Sequence, residues 1–331
     1  MKKNGVLKLF FSQTFSKGKS LHALIKRVLL LLLLLTESNS VLSTNAFNYQ
    51  GDFFMEKYSQ GRLDYVLPKN FKQKGRDQSI YSVKVKEISL NNKSLLEDWT
   101  NRVEQFRLKH LASGNNIDTM SVGEILPGFY YAFYHEDDDL DVITVEAHKL
   151  IGDNVLCLKY TGMVGKEKNM LRQVSGPAEG YRPNINRGFN IGEGSLTSGP
   201  SINEMTFAVF EDDRGMFELS IRTDTVGSYL NKGPLDNIAY EIEGLRIEGI
   251  VLKVEQKGER VVAGFPGEEG LVTFENPKEK EANFKFTWFY TGETAKAYKP
   301  EIRIKLIGKL DDLEVAKKVW TNLMNSITMR K

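Results

Sequence analysis

The stretch Phe284-Lys285-Phe286-Thr287-Trp288-Phe289-Tyr290 alternates large apolar and polar side chains through Trp288. An extended strand sends residues i and i+2 to one face, so Phe284, Phe286, Trp288 and Tyr290 share a dry face while Lys285 and Thr287 face water. Working outward, the same period of two recurs in Ile302/Ile304/Leu306, Phe217/Leu219/Ile221, Met205/Phe207/Val209 and Val155–Tyr160. It is also present in Val142-Ile143-Thr144-Val145, Val83/Val85 and Val251–Val254. Antiparallel sheets with one solvated face carry this pattern.

Two segments instead read at three- and four-residue steps. In the first, Leu95, Leu96, Trp99, Val103, Phe106 and His110 form a stripe, and Ser94 followed by Glu97 predicts a capped start. In the second, Leu313, Ala316, Trp320, Leu323, Met324 and Ile327 form a core-facing stripe behind Asp311 and Asp312, acids that suit a helix N-terminus. A third helix is expected over about 235–244, between Pro234 and Gly244. Gly and Pro cluster from 176 to 200 (Gly176-Pro177, Pro183, Gly192, Gly194, Gly199-Pro200), as loops and linkers do. The predicted class is α+β in two domains, each a mainly antiparallel sheet with one or two packed helices. The units would span 50–183 and 184–331, behind a leader over 1–40.

The leader has an export pattern. Lys26 and Arg27 precede the apolar run Val28–Leu35, which is too short to span a membrane but suits a signal-peptide core. Small residues at Ser38 and Ser40 offer a cleavage point, and an uncleaved membrane anchor is the alternative. Residues 1–40 carry seven basic groups and one acid, which leaves 41–331 at −4 against the whole chain's +2. That part lacks the basic excess of a nucleic-acid binder. The single cysteine, Cys157, excludes an intrachain disulfide and a Cys-based zinc site, and in Val155-Leu156-Cys157-Leu158 it reads as a small buried hydrophobe.

Catalytic signatures are missing: there is no Gly-x-Ser-x-Gly elbow, Walker loop, His-Glu-x-x-His or Cys-x-x-Cys. Gly192-x-Gly194 lacks the third glycine of a dinucleotide loop. The run Glu136-Asp137-Asp138-Asp139-Leu140-Asp141 fails as a calcium loop, because Val142 stands where glycine and His148 where glutamate would be needed. It reads as the turn of a hairpin between Phe129–Tyr134 and Val142–Val145. Glu136, Asp137, Asp138, Asp139 and Asp141 are therefore the candidate partner-binding residues, an accessible acidic tip that steers a basic partner. His135 and His148 flank it, and two histidines alone are no ligand set. Gly264-Phe265-Pro266-Gly267-Glu268-Glu269-Gly270 reads as a turn-rich hairpin connection, and adjacent carboxylates on a turn rarely converge on one substrate. No cofactor or metal is implied.

A resemblance then emerges from particular segments: Arg187–Gly194, Glu204–Phe210, Phe217–Ile221, Arg260–Gly264 with Gly267-Glu268-Glu269, Phe284–Trp288, Lys299–Ile302, and the closing Trp320 with Ser326-Ile327-Thr328-Met329-Arg330. Gly61-Arg62-Leu63-Asp64-Tyr65-Val66-Leu67-Pro68 adds a looser match in the first half. These segments resemble the lipase-immunity proteins of type VI secretion, most closely in their C-terminal domain. Asn190 stands where that family often has cysteine. The resemblance implies a non-enzymatic periplasmic protein that binds a phospholipase effector and blocks access to its active site. An enzyme using Glu268, Glu269 and the acidic run would require those groups to converge in one pocket. An exported small-molecule or lipid-binding module would require a deep apolar cavity.

Overall fold

The computed structural model describes residues 54–90, 94–112, 121–136, 139–185, 187–197, 203–225, 250–276, 281–293 and 296–330. The leader, Asp137, Asp138 and the helix expected over 235–244 lie outside the described residues.

In chain order the elements begin with β1 (Met55–Gln60), β2 (Leu63–Pro68), β3 (Phe71–Ile80), β4 (Val83–Ser89) and α1 (Leu95–Ala112). They continue with β5 (Ser121–Leu126), β6 (Phe129–Tyr134), β7 (Val142–Ile151), β8 (Asn154–Met163), α2 (Glu167–Gly180), β9 (Tyr181–Pro183), β10 (Phe189–Asn190) and β11 (Gly194–Leu196). The last are β12 (Glu204–Asp212), β13 (Phe217–Asp224), β14 (Val251–Val262), β15 (Phe265–Asn276), β16 (Glu281–Tyr290), β17 (Glu301–Lys309), α3 (Leu313–Ser326) and β18 (Thr328–Met329). Twelve strands form one antiparallel sheet in the order β14-β15-β16-β17-β13-β12-β3-β4-β8-β7-β6-β5. The mainly antiparallel sheet is as expected, and the α+β class leans further to β than its name implies, because antiparallel hairpins rather than helices make most of the connections. The halves meet edge to edge: β12 pairs β3 from Glu204↔Ile80 to Asp212↔Phe71, with a bulge after Val209.

Where one sheet face is buried, the alternation sets the strand's facing. Phe217, Leu219, Ile221, Ile302, Ile304, Leu306, Phe284, Phe286 and Trp288 are all buried in one core, against Ala316, Val319, Trp320, Leu323 and Met324 of α3. Leu63, Tyr65, Leu67 and Phe71 complete that core, and β2 pairs on one side with β1 and on the other with β18. A second core joins Val83, Val85, Val145 and Leu158 to Met170, Val174 and Ala178 of α2. On a further cluster α1 sets Trp99, Val103 and Phe106 against Ala132 and Tyr134. Ser94 Oγ accepts from the Glu97 amide at 3.1 Å, the expected cap, while Leu96 points outward rather than into the stripe.

Three expectations are corrected. On β12 the facing is inverted: Glu204, Thr206, Ala208, Phe210 and Asp212 are buried, while Met205, Phe207 and Val209 lie on the more open side. Of the polar members of that buried set, Glu204 meets Arg62 far along the chain, Thr206 meets Thr223 on the next strand, and Asp212 accepts from the Phe217 amide, partners that the hydropathy pattern does not show. The 176–200 stretch is not purely linker, since Gly176 and Pro177 sit in the last turn of α2 and β9, β10 and β11 follow. Finally, the hairpin turn after β14 is only Ala263-Gly264, with Val262 opposite Phe265, so Pro266–Gly270 is strand. Gly267 is required there by close approach: a Cβ would lie 2.5 Å from Cε2 of the fully buried Trp288 indole.

Candidate functional site

The described residues of the acidic run, Glu136 and Asp139 to Asp141, lie between the antiparallel strands β6 and β7. Glu136, Asp139 and Asp141 are exposed, and Glu136 contacts Lys159 of β8. Asp139 Oδ1 accepts from the Asp141 amide at 3.0 Å, and His135 Nδ1 lies 2.7 Å from the Val142 carbonyl oxygen. The Asp141 carbonyl accepts from the Val164 amide at 3.1 Å, which ties the tip to the β8–α2 turn. Leu140, Met163 and Val164 are exposed beside it. The tip is thus a charged rim around a small apolar surface, the composition of a protein contact rather than a metal site.

The other chemistry-bearing residues are structural. Consecutive residues of β15 face opposite sides, so Glu268 and Glu269 do not converge. Glu269 Oε1 accepts from Trp320 Nε1 (2.6 Å) and Arg260 Nη1 (2.8 Å), and Arg260 Nη2 donates to Asn325 Oδ1 at 2.7 Å. This lock fastens the β14–β15 hairpin to α3. His148 stands opposite Tyr130 rather than His135, buried beside Glu146. Cys157 is half-buried, and burial, then the charges of Glu146 and Asp98, push its thiol up to about 12.

The segments of the sequence resemblance converge on one junction. Arg62, in the turn between β1 and β2, makes a bidentate pair with Glu204 at the start of β12, both bonds at 2.7 Å and both side chains buried. Arg330 is buried near Asp64, its Nε 3.5 Å from Oδ1. Ser326 Oγ accepts from the Val66 amide at 3.0 Å and donates to the Leu323 carbonyl at 2.7 Å. Asn190 forms a backbone bridge with Gly61, and its side-chain amide donates to the carbonyls of Gly192 (2.8 Å) and Gly194 (3.3 Å). A fully engaged polar side chain therefore occupies the position where the resembling family often has cysteine.

Beside this junction a groove of about 540 Å³ opens between the β1 arm, β3 and the loops flanking β10. Tyr58, Tyr65 and Phe210 form its apolar wall, and Arg76, Asn190 and Arg330 its polar floor. It is open and largely polar, not the deep apolar cavity that a lipid carrier needs. Arg76 escaped the sequence reading, since Phe71–Ile80 is polar and irregular and nothing in it marks one arginine out.

Residues 184–330 match the model of the Tle cognate immunity protein 4 C-terminal domain. The match is to that domain and covers a little less than half of the chain. The Tle-immunity domain thus contains β10 to β18, α3 and Asn190, Glu204, Glu269, Ser326 and Arg330. Solved structures extend the likeness beyond it. The apo immunity protein TplEi of T6SS from Pseudomonas aeruginosa shares the fold at a TM-score of 0.66 and 15% identity, covering 83% of this chain and 97% of that one. The same protein complexed with "L" peptide gives 0.63 and 14%, covering 83% and 98%. A chain of the Tle4-Tli4 complex gives 0.67 and 16%, covering 83% and 97%. No curated protein matches the chain.

Proposed function

We propose that the chain is a non-enzymatic immunity protein that binds a cognate Tle-type lipase effector of type VI secretion and occludes its active site. The match of residues 184–330 to a Tle cognate immunity domain carries this reading. The likeness over 83% of the chain to a protein solved in complex with Tle4 supports it. Its chemistry agrees: Glu269 is tied to Trp320 and Arg260, Glu268 faces the other side of β15, and the exposed groups suit recognition. The export pattern of residues 1–40 supports an encounter in the periplasm, with attachment to the membrane only through an uncleaved leader. Among the described residues no helix is long and apolar enough to cross a membrane. In this reading the segments 50–183 and 184–331 act as two lobes of one binding body.

The test is co-purification and calorimetry with a Tle4-type lipase effector from the same genome, alongside survival of cells that make that lipase in the periplasm. A complex tighter than about micromolar and full protection are expected; no complex at that concentration sinks the reading. We assign the acidic tip, Glu136, Asp137, Asp138, Asp139 and Asp141, to the contact. Reversing Asp137, Asp138 and Asp139 to lysine is expected to slow association roughly tenfold and to flatten its salt dependence, with little change in dissociation. Stopped-flow mixing at two ionic strengths measures both, and unchanged kinetics would remove the tip from the interface.

A further inference from the structure

The groove beside the junction contains an arginine with no direct ion pair among the described residues, although the charge of nearby Glu87 acts on it. Arg76 is half-buried on β3, yet its hydrogen bonds among the described residues all go to neutral oxygens. Nε donates to Gln78 Oε1 at 2.7 Å, and Nη2 to Asn190 Oδ1 at 2.7 Å and to the Asn190 carbonyl at 3.3 Å. The carboxylate of Glu87 is engaged elsewhere, accepting from Asn154 Nδ2 (2.7 Å) and from the amides of Glu193 (2.9 Å) and Gly194 (3.3 Å). Nη1 carries no hydrogen bond among the described residues and is not sealed from solvent. Burial is also the main influence on the guanidinium, lowering its proton affinity. A guanidinium held by two amides with one edge open is pre-organised for a planar carboxylate.

The surroundings narrow the occupant. Tyr58 packs edge-on to Phe210 with ring centroids 5.1 Å apart, which gives the groove a rigid apolar wall. Glu56 and Glu193 stand exposed on the rim. Those two acids repel a free multivalent anion, but they match basic residues on either side of a single inserted carboxylate. We propose that this groove docks a segment of the effector that presents one Asp or Glu side chain to Arg76, flanked by Lys or Arg facing Glu56 and Glu193. The inference rests on the immunity reading for the identity of the partner, and on the groove alone for its chemistry.

Two experiments test it on the full mature chain. In calorimetry against the same Tle4-type lipase, Arg76→Met is expected to weaken binding about a hundredfold and Arg76→Lys about tenfold, since lysine keeps the charge and loses the fork. Should Arg76→Met fail to fold, the double change Glu56→Lys/Glu193→Lys, at exposed positions, is expected to weaken binding about tenfold. Unaltered affinity in these variants, with the wild type still binding, overturns the groove and leaves the immunity reading intact. Separately, a random dodecapeptide display library is selected on wild type and on Arg76→Met. Enrichment of an acidic residue flanked by basic ones, lost on Arg76→Met, supports the groove even if the lipase itself does not bind. No such enrichment, or Arg76-dependent binding of citrate or inorganic phosphate without it, overturns the proposal.

Discussion

Glu204→Ala is expected to lower the unfolding free energy by about 3–5 kcal/mol, because it strands the Arg62 guanidinium in a buried site. Both side chains are almost wholly excluded from water, at 6% and 3% exposure, and are joined by two bonds of 2.7 Å. The pair links the β1–β2 turn to the sheet strand β12, 142 residues later. The Glu204 backbone is fixed as well, its amide donating to Thr225 Oγ1 at 2.7 Å and its carbonyl accepting from the Thr225 amide at 2.9 Å. The lost charge thus has no route to relax by local rearrangement. The thermal midpoint should fall by on the order of 10 °C. Exchanging both partners for apolar residues, Arg62→Met with Glu204→Leu, removes the stranded charge and should recover most of the loss. Urea unfolding of the single and double variants measures the difference. A single variant within about 1 kcal/mol of wild type would show that water reaches the site, contrary to its burial.

The same junction marks how far the sequence could be read. Strands β13, β16 and β17 were legible because each buries one face against α3, and a period of two then fixes which residues go in. β12 carries an equally clean alternation, Met205, Phe207 and Val209, yet its other face is the buried one. Thr206 Oγ1 bonds Thr223 Oγ1 at 2.9 Å, Asp212 Oδ1 accepts from the Phe217 amide at 2.8 Å, and Glu204 meets Arg62. Glu204 and Thr206 find partners on other strands and Asp212 holds the amide of Phe217 across the β12–β13 turn, so hydropathy alone assigned the faces wrongly. α2 was hidden by Gly176-Pro177, since a proline in the final turn costs a helix little when its carbonyl still accepts the Tyr181 amide. The Gly267 strand was taken as a turn because the reason for its glycine, the Trp288 ring, comes from another strand.

The candidate site divides in the same way. The position of the acidic run between β6 and β7 was legible because it is local, set by the two flanking strand patterns. The groove was not, since its members come from the β1 arm, β3, β12, the β10 loops and the chain's last described residue. The resemblance segments recur in that neighbourhood as fasteners, with Arg62, Asn190, Glu204, Ser326 and Arg330 holding one element to another. The groove residues Arg76 and Glu56, to which the proposal gives recognition, lie outside those segments, and Glu193 lies in the loop of the first one. An immunity protein needs this division, since its scaffold must persist while its contacts follow a particular effector.

Acidification is expected to loosen α1 from the sheet through Glu146. Burial raises the proton affinity of this carboxylate, but hydrogen bonds from His148 and Arg102, and then their charges, outweigh it and bring its pKa down to about 2. Arg102 of α1 forks onto it at 2.7 and 2.9 Å, Tyr134 of β6 donates at 3.2 Å, and His148 Nε2 lies 3.1 Å away. Asp98 faces the other ring nitrogen of His148 at 3.6 Å. A carboxyl that titrates near its ordinary 4.5 when unfolded and near 2 when folded binds more protons unfolded across that window. Its stabilisation is therefore complete above about pH 4.5 and is lost as pH falls toward 2, amounting to roughly 3 kcal/mol. Urea unfolding from pH 7 to pH 3 should show wild-type stability declining in that window. The double variant Arg102→Met/Glu146→Leu replaces the pair with apolar groups and should decline less steeply by the part that Glu146 contributes, whatever the other carboxylates add to both. Since α1 packs Trp99 against the His148 ring at 4.9 Å, indole fluorescence should change along the same limb in wild type. Parallel pH profiles for wild type and the double variant would mean that Glu146 does not hold α1 in place.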